Sequence, residues 1–326
     1  MASSPGTHGP TLVVVGEFFL DLIFYALPDL PRLGEEVKTR HFAQLPGGGL
    51  ATTSLVASRL GTRTAAIARV GEDVRSSPAW RSLGDNKVSM DACEYASALP
   101  TARTVCAAFN GDRMMITHDT INQHLEKLLS RPAAQQALRN ARHVHLACAL
   151  WPIAAWLPWI KRLRAQRLSV SADIGWNPEM FRSQDLSRLL RQLDFLFPNE
   201  VEARAITNEK TTERALKKLA EWMPVPLIKL GPAGSVAIQN GKVLRVASLP
   251  VRSIDATGAG DAFNGGFLHG YLAGWDLGDC LRAGNVCGAL ATTGAGGSSV
   301  LPSAAKLRKL MGRLKSNSDQ MDRHRN

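Results

Sequence analysis

The residues best suited to chemistry in this 326-residue chain lie where a predicted strand passes through a short turn into a predicted helix. The turn consists of small residues and ends at an acidic one: Gly258, Ala259, Gly260 and Asp261. Small residues let backbone N–H groups approach a ligand closely, and the first turn of a helix has unpaired N–H donors and a partial positive charge. The turn is therefore predicted to bind an anion, with the carboxylate of Asp261 at its edge.

A carboxylate beside an anion site suits the transfer of a phosphoryl group to a hydroxyl. The backbone N–H groups of residues 258–261 would hold the charge that develops on the transferring group, and Asp261 would accept the proton of the attacking hydroxyl. The alternative is an aspartate that only complements the helix dipole, an interaction of about 0.3–1 kcal/mol. Glycine turns before helices are common, so the turn alone does not separate the two interpretations.

The elements that must hold Asp261 follow from the spacing of apolar residues. Residues 243–254 are rich in Val, Leu and Ile and predict the strand before the turn. After the turn, an aromatic residue recurs at every fourth position, which predicts a helix with one apolar face. These aromatic residues are Phe263, Phe267 and Tyr271. Asp261 is therefore expected in the first turn of that helix.

A second glycine-rich turn, residues 45–53, leads into a predicted helix at 54–61. Its spacing fits neither the G-x-G-x-x-G pattern of dinucleotide-binding folds nor the G-x-x-x-x-G-K-[ST] pattern of P-loops, which excludes both kinds of site. Asp21 follows the first apolar run, residues 11–15, where open α/β sheets hold their ligands. A contact with sugar hydroxyls and an ordinary turn or N-cap role are both open for Asp21.

The rest of the chain alternates between strand and helix patterns. Apolar runs typical of buried strands occur at residues 144–150, 169–174, 195–197 and 224–230. This alternation predicts an α/β fold with a mainly parallel sheet covered by helices on both faces. Residues 33–44 and 101–118 are less apolar and look extended, and the second segment predicts a hairpin with Asn110–Gly111 at its turn.

The composition argues against several classes of protein. The net charge is +11, but the basic residues lie on predicted amphipathic helices without a nucleic-acid-binding motif, so no nucleic-acid partner is expected. The five cysteines include no C-x-x-C pair and predict neither disulfides nor a zinc site, which suits the reducing cytoplasm. The uncharged stretch at 144–160 is short and contains two prolines, and the N-terminus lacks the features of a signal peptide, so no membrane association is expected.

Two motifs resemble one known family. The string D-A-T-G-A-G-D-A-F, from Asp255 to Phe263, resembles the C-terminal signature of the ribokinase-like (PfkB) carbohydrate kinases. The turn at Gly47 and Gly48 resembles the N-terminal signature of the same family, where the pattern Gly-Gly-x-x-x-Asn contacts the sugar. This sequence has Thr52 at the Asn position, and a hydroxyl can still hydrogen-bond a sugar, with one donor only. The resemblance covers nearly the whole chain, with the motifs in the family order.

The resemblance implies ATP-dependent phosphorylation of a hydroxyl on a sugar or a related small molecule, with Mg²⁺ and the monovalent cation K⁺ as further cofactors. Asp261 would be the base, and the backbone N–H groups of residues 258–260 would steady the transferring phosphoryl group. Substrate contacts are expected from Asp21, Gly47, Gly48, Thr52 and Arg103. Nucleotide contacts are expected from Asn199, Lys229, Gly231, Gly234 and Asn285. Metal contacts are expected from Glu202 and Asp255.

Asn199 and Glu202 are three residues apart and therefore lie on one face of a predicted helix. They resemble the family's Asn-x-x-Glu motif, which organises Mg²⁺ and the ATP phosphates partly through water. Mg²⁺ keeps several waters and binds few carboxylates, so one glutamate is sufficient. A capping arrangement at the start of the helix is the alternative.

The expected architecture is a three-layer α/β/α, ribokinase-like domain at residues 11–315, with a small β lid from 33–44 and 101–118. Flexible tails are expected at 1–10 and 316–326. By resemblance, the lid would exclude water from the sugar site and could join two copies of the chain as a homodimer. Two alternatives stay open: a nucleoside kinase of the same fold, which needs an aromatic or apolar clamp for a base, and a non-catalytic small-molecule-binding protein that kept the fold.

Overall fold

The structure of the protein is a computed structural model that describes residue 9 and residues 11–109, 112–294 and 296–323. Its strands are β1 (Leu12–Gly16), β2 (Phe19–Phe24), β3 (Phe42–Gly47), β4 (Thr64–Ile67), β5 (Arg69–Gly71), β6 (Glu94–Ala96), β7 (Arg103–Phe109), β8 (Asp112–His118), β9 (His143–Ala147), β10 (Ser169–Asp173), β11 (Phe195–Leu196), β12 (Leu227–Lys229), β13 (Ser235–Gln239) and β14 (Lys242–Val246). Its α-helices are α1 (Gly48–Arg59), α2 (Pro78–Asp85), α3 (Pro132–Arg139), α4 (Ile153–Ala165), α5 (Pro178–Phe181), α6 (Leu186–Leu190), α7 (Glu200–Thr207), α8 (Thr212–Ala220), α9 (Ala259–Leu272), α10 (Leu277–Ala291) and α11 (Ala304–Arg323).

The central sheet is parallel and brings the carboxyl ends of its strands to one edge. Its strand order is β11-β10-β9-β1-β4. The register pairs Gly16 of β1 with Ala147 of β9, and Ala147 with Asp173 of β10. The loops that follow these strands therefore leave the sheet side by side, where open α/β sheets hold their ligands.

Helices cover both faces of this sheet because its strands are apolar on both sides. Val13 and Val15 belong to a core with residues of α3, α4 and α6–α8, whereas Leu12 and Val14 belong to a second core with residues of α1, α2, α9 and α10. Successive side chains of a strand point to opposite faces, so β1 contributes to both cores. The predicted three-layer α/β/α architecture with a mainly parallel sheet is confirmed.

A separate four-stranded sheet, in the order β3-β2-β7-β8, fits the predicted lid. Strands β2 and β7 run parallel, and the two outer pairs run antiparallel. Asp21, Thr104 and Thr117 are register partners and share one face, which we call the inner lid face. Leu22, Val105 and Ile116 share the opposite face, which we call the outer lid face.

Several elements differ from the sequence-based expectation. The strand predicted at 243–254 ends at Val246, so a longer loop than expected leads to the turn before α9. The lid includes β2, which was not predicted as a strand, and the strand expected at 33–44 begins only at Phe42. Helix α1 begins at Gly48 rather than at residue 54, and α11 continues to Arg323, past residue 315. The predicted hairpin turn at 110–111 and all of the predicted N-terminal tail except Gly9 lie outside the described residues.

Within the described part of the chain, none of the helices combines the length and the apolar character that a membrane crossing requires.

Candidate active site

Helix α9 begins at a turn that requires glycine. Gly258, the N-cap residue, has a φ of 69°, in the left-handed region that favours glycine. A Cβ atom at Gly258 would lie 2.6 Å from the Cα atom of Gly297, so the two backbones are in contact there. Asp261 lies in the first turn of α9, as the spacing of apolar residues predicts.

The carboxylate of Asp261 lies against the start of α1. A Cβ atom at Gly49 would be 3.0 Å from Oδ1 of Asp261. The hydroxyl of Thr53 donates a hydrogen bond of 3.1 Å to the backbone carbonyl of Asp261, across 208 positions of sequence. The two glycine-rich turns therefore meet around one carboxylate.

Asp21 faces the same turn from the inner lid face. A Cβ atom at Gly47 would overlap the carboxylate of Asp21, and one at Gly48 would overlap the backbone carbonyl of Glu17. The hydroxyl of Thr104 hydrogen-bonds the Asp21 carboxylate. The fold thus brings Asp21, Gly47 and Gly48 together with Asp261, and only glycine leaves space for the acidic residues at these positions.

Thr52, which replaces the expected Asn, lies in the buried first half of α1. Its Oγ1 atom is 3.4 Å from the position that a Cβ atom at Gly258 would take. Thr52 is therefore next to the turn that begins α9. Its contact with a substrate stays a prediction.

Burial and mutual repulsion raise the pKa values of three carboxyl groups in this region. Burial, and then the charge of Asp173, raise the pKa of Asp261 to about 7, although Lys229 acts in the opposite direction. Burial and the charge of Asp255 raise the pKa of Asp21 to about 7. Burial raises the pKa of Glu17 to about 7 as well. Such clusters of perturbed acids are typical of functional sites.

Lys229 contacts the first turn of α9 from the other side. Its Nζ atom would be 2.9 Å from a Cβ atom at Gly260 and donates a hydrogen bond of 2.8 Å to Oδ2 of Asp173. The amide of Asn264 donates a second hydrogen bond of 2.8 Å to the same carboxylate oxygen. Asp173 therefore fixes both the lysine and the helix that carries Asp261.

Asn199 and Glu202 form a complete capping box at the start of α7. The side chain of Asn199 accepts from the backbone N–H of Glu202 at 2.9 Å, and Oε2 of Glu202 accepts from the backbone N–H of Asn199 at 2.8 Å. Asn199 also forms an isolated parallel bridge with Lys229, which places the cap next to Asp173 and Asp261. Burial and the charge of Asp173 raise the pKa of Glu202.

Asp255 ties two loops together. Its Oδ1 atom accepts from the backbone N–H and the hydroxyl of Thr257 at 2.9 and 2.6 Å, and its Oδ2 atom accepts from the backbone N–H of Gly296 at 2.9 Å. This carboxylate therefore shapes the loop that leads into Gly258. Across the described residues, His, Cys, Asp and Glu side chains form no cluster of three or more that could hold a metal ion.

A cavity of about 480 Å³ opens beside the first turn of α9. Four of the predicted nucleotide-contacting residues are in its lining: Lys229, Gly231, Gly234 and Asn285. The amide of Asn285 donates hydrogen bonds of 2.9 and 3.2 Å to the backbone carbonyls of Val246 and Ala247, so it also shapes the cavity wall. The cavity therefore reaches from the apolar surface of α10 to the turn at Ala259 and Gly260.

Residues 10–304 match the family model described as pfkB family carbohydrate kinase. The chain belongs to this family. The resemblance noted for its two glycine motifs is therefore confirmed, and the protein is a kinase of the pfkB family.

Similar proteins agree with this assignment. A nucleoside kinase from Methanothermobacter thermautotrophicus is 28% identical over 83% of this chain and 85% of its own length. A ribokinase from Haemophilus influenzae is 24% identical over 90% of this chain and 95% of its own length. The structure of Arabidopsis thaliana ribokinase complexed with ribose and ATP has a TM-score of 0.80 and 25% identity, covering 93% of this chain and 99% of that one.

One predicted site residue of the kinase lies apart from the others. Arg103 precedes Thr104 in β7 and so lies on the outer lid face, where its guanidinium bonds the carboxylate of Asp73. Its contact with a substrate stays a prediction.

Sequence reasoning did not assign Asp173, Asn264 or Glu17 to the site. Asp173 ends β10, and Glu17 follows β1. The end of a strand is also the position that suggested a ligand contact for Asp21. Asn264 is one helical turn after Asp261 and therefore on the same face of α9. These positions in the sequence were the signals that could have suggested the three residues. They were not sufficient, because the partners of all three side chains are distant in sequence.

Proposed function

We propose that this kinase transfers the terminal phosphoryl group of ATP to a hydroxyl of a sugar or sugar-like small molecule. The observation that carries the proposal is the position of Asp261, in the first turn of α9 and against the glycine turn that begins α1. A base with a pKa of about 7 is well matched to proton abstraction near neutral pH. The structure of Arabidopsis thaliana ribokinase complexed with ribose and ATP supports the choice of both substrates.

In the proposed step, a hydroxyl oxygen of the acceptor attacks the terminal phosphorus of ATP while Asp261 takes the hydroxyl proton. The oxygen–phosphorus bond to the acceptor forms, and the bond to the ADP oxygen breaks. The backbone N–H groups of the turn at 258–261 and the ammonium group of Lys229 stabilise the charge on the transferring group. The cavity beside α9 holds the nucleotide.

The residues present suit a bound Mg²⁺ ion. Glu202 is close enough to Asp173 for the charge of Asp173 to raise its pKa, so a cation there would relieve repulsion between two acids. One carboxylate and several waters are an ordinary Mg²⁺ environment, and the ion would neutralise phosphate charge. A K⁺ ion near Asp255 stays a prediction, because both oxygens of that carboxylate already accept hydrogen bonds from the protein.

The test is steady-state ADP release with a panel of ketoses, aldoses, keto-deoxy acids and nucleosides. Asp261→Asn should lower kcat by about 10²–10⁴-fold while ATP binding, measured by calorimetry, stays close to wild type. Asp276→Asn is the matched control, because Asp276 caps α10 at the surface and Asn caps a helix equally well. Near-wild-type turnover by Asp261→Asn would remove Asp261 from this role. Tight binding of small molecules without any turnover would instead favour the non-catalytic alternative.

A nucleoside acceptor is the second candidate, because two exposed tryptophans follow neighbouring strands of the sheet. Trp151, after β9, is 39% exposed, and Trp176, after β10, is 60% exposed. Aromatic side chains at the carboxyl edge would stack on a nucleobase. The similarity to a nucleoside kinase supports this candidate. If it is correct, Trp176→Ala should raise the KM for nucleosides and leave the KM for free ribose unchanged.

We propose that the protein works in the reducing cytoplasm, because all five cysteines are buried and none of them is part of a disulfide. We also propose that it forms a homodimer through the outer lid face.

A further inference from the structure

The segment before strand β7 connects the lid with the rest of the molecule, and the side chain of Asp73 binds this segment. We infer that Asp73 is a positioning residue for the acceptor, because it fixes the start of β7 and thereby the place at which β2 holds Asp21 against the glycine turn. The inference rests on the proposed function and adds to it a residue outside the site. It also gives Arg103 a role other than a substrate contact.

Asp73 lies in the body of the molecule, two residues after the end of β5. Its Oδ1 atom accepts hydrogen bonds from the backbone N–H and the hydroxyl of Thr101, at 3.0 and 2.7 Å. Its Oδ2 atom accepts a hydrogen bond from the guanidinium of Arg103, the first residue of β7. Hydrogen bonds to an ionised carboxylate are stronger than those between neutral groups, so Asp73 is an effective anchor for the start of this strand.

The segment before β7 lies in direct contact with the end of β5. The hydroxyl of Thr101 accepts a hydrogen bond of 2.9 Å from the backbone N–H of Gly71, and Thr101 is fully buried. A Cβ atom at Gly71 would lie 2.6 Å from the carbonyl oxygen of Leu99 and 2.6 Å from the backbone nitrogen of Thr101. Only a glycine at this position therefore lets residues 99–101 lie where Asp73 binds them.

The anchored segment continues into the hydrogen bonds that hold Asp21. The backbone carbonyl of Ala102, the residue after Thr101, accepts a hydrogen bond of 2.9 Å from the backbone N–H of Leu20. Leu20 precedes Asp21, and Asp21 is the register partner of Thr104 in β7. A displacement of the segment at Thr101 would therefore displace β2 and, with it, the carboxylate that faces the glycine turn.

The ion pair of Asp73 and Arg103 is partly exposed to solvent. The side chain of Arg103 is 42% exposed and that of Asp73 is 33% exposed, and ion pairs at such exposure contribute little to the free energy of unfolding. Asp73→Asn keeps the shape of the side chain and an oxygen that can accept from Thr101, but its amide nitrogen cannot accept from Arg103. This variant should therefore fold and lose only the link between the body and the guanidinium.

The test is a double-mutant cycle of Asp73→Asn and Arg103→Met, with KM measured separately for the acceptor and for ATP. The probe is the acceptor with the highest kcat/KM among ribose, fructose, glucose and cytidine. Each single variant should raise the KM for the acceptor by about tenfold and leave the KM for ATP unchanged, because the displaced strand holds only the acceptor. The double variant should have the same KM for the acceptor as either single variant, because both substitutions break one link.

Glu72→Gln is the matched control, because Glu72 precedes Asp73 and forms its own ion pair with Arg75 at the surface. Both KM values should stay at the wild-type level in this variant. Additive effects of Asp73→Asn and Arg103→Met would show that Arg103 acts on the substrate by itself, and they would overturn the inference while the kinase activity stands. An unchanged KM for the acceptor, or an equal rise in both KM values, would overturn it as well.

Hydrogen exchange tests the same link without turnover. In Asp73→Asn, backbone amides of β2 and β7 should exchange about fivefold faster than in the wild type, whereas those of the central parallel sheet should keep their wild-type rates, because the anchor acts on the lid alone. Unchanged exchange in the lid strands would refute the inference. Absence of turnover with every acceptor would count against the proposed function only, and hydrogen exchange would then decide whether Asp73 anchors the lid.

Discussion

At the scale of single residues, the site depends on a balance of charges around Asp261. The negative charges of Asp173, Glu202 and Asp21 favour its protonated form, and Lys229 favours its ionised form. Because these groups interact, protonation of one carboxyl group changes the proton affinity of the others. Lys229 therefore has two roles in the proposed mechanism: it stabilises the phosphoryl group and it keeps the base ionised.

This balance predicts the pH dependence of catalysis. Asp261 must be ionised to accept a proton, and its pKa is raised to about 7, so kcat/KM for the acceptor should fall as the pH decreases below about 7. The fall should approach about tenfold per pH unit, since one proton blocks the base. The measurement is kcat/KM between pH 5 and 9 with saturating Mg²⁺ and ATP. Lys229→Met should move the inflection to higher pH, and a profile that stays flat down to pH 5 would contradict the assignment.

At the scale of elements, the proposed anion site is formed where two helix starts and one loop come into backbone contact. A Cβ atom at Gly297 would lie 2.6 Å from the Cα atom of Gly258 and 2.8 Å from the carbonyl oxygen of Thr257. On the opposite side, a Cβ atom at Gly265 of α9 would lie 2.8 Å from a side-chain atom of Val56 in α1. The glycines therefore set the distances between elements, and through them the position of Asp261.

Gly297→Ala tests this dependence. The added methyl group meets backbone atoms that cannot rotate away, so the loop must move; we expect a loss of about 1–3 kcal/mol in the free energy of unfolding. A shift of the anion site by about 1 Å should also lower kcat by about 10²-fold. Gly84→Ala is the control. Gly84 lies in helix α2, and a Cβ atom there would be 3.4 Å from the flexible end of the Met90 side chain. Wild-type kcat in a stably folded Gly297→Ala protein would show that this contact does not position the site.

At the scale of the whole molecule, local patterns predicted the layers of the fold and the turn at Asp261. Strand periodicity, helix periodicity and glycine turns each depend on residues that are close in sequence. Asp173 and its contacts were not predicted, because Lys229 and Asn264 reach it across 56 and 91 positions of sequence. Strand β2 was also missed, since F-L-D-L-I-F is apolar at almost every position and shows no clear alternation. Helix α1 begins earlier than expected because residues 49–53 pack against the start of α9, whereas Gly48 itself has the left-handed φ of 83° that suits the predicted turn.

The lid leads to a prediction about assembly. Its outer face exposes a row of large apolar side chains: Phe24, Phe42, Val105, Met114 and Ile116. Exposed apolar groups of this kind on one face of a sheet typically mark a protein interface. A second copy of the chain is the occupant proposed here, because the same face on both copies would pair symmetrically in a dimer.

Ile116, which is 67% exposed, is the position at which to test the dimer. Ile116→Lys should shift the protein from dimer to monomer in light scattering coupled to size-exclusion chromatography, because the lysine would place a charge in the apolar interface. Val243→Lys is the matched control: Val243 is 57% exposed on the β13–β14 hairpin, away from the lid. Because the lid covers the proposed acceptor site, the monomeric variant should also show a higher KM for the acceptor with an unchanged KM for ATP. A wild-type protein that is monomeric at micromolar concentration, or a dimer that Ile116→Lys leaves intact, would contradict association through this face.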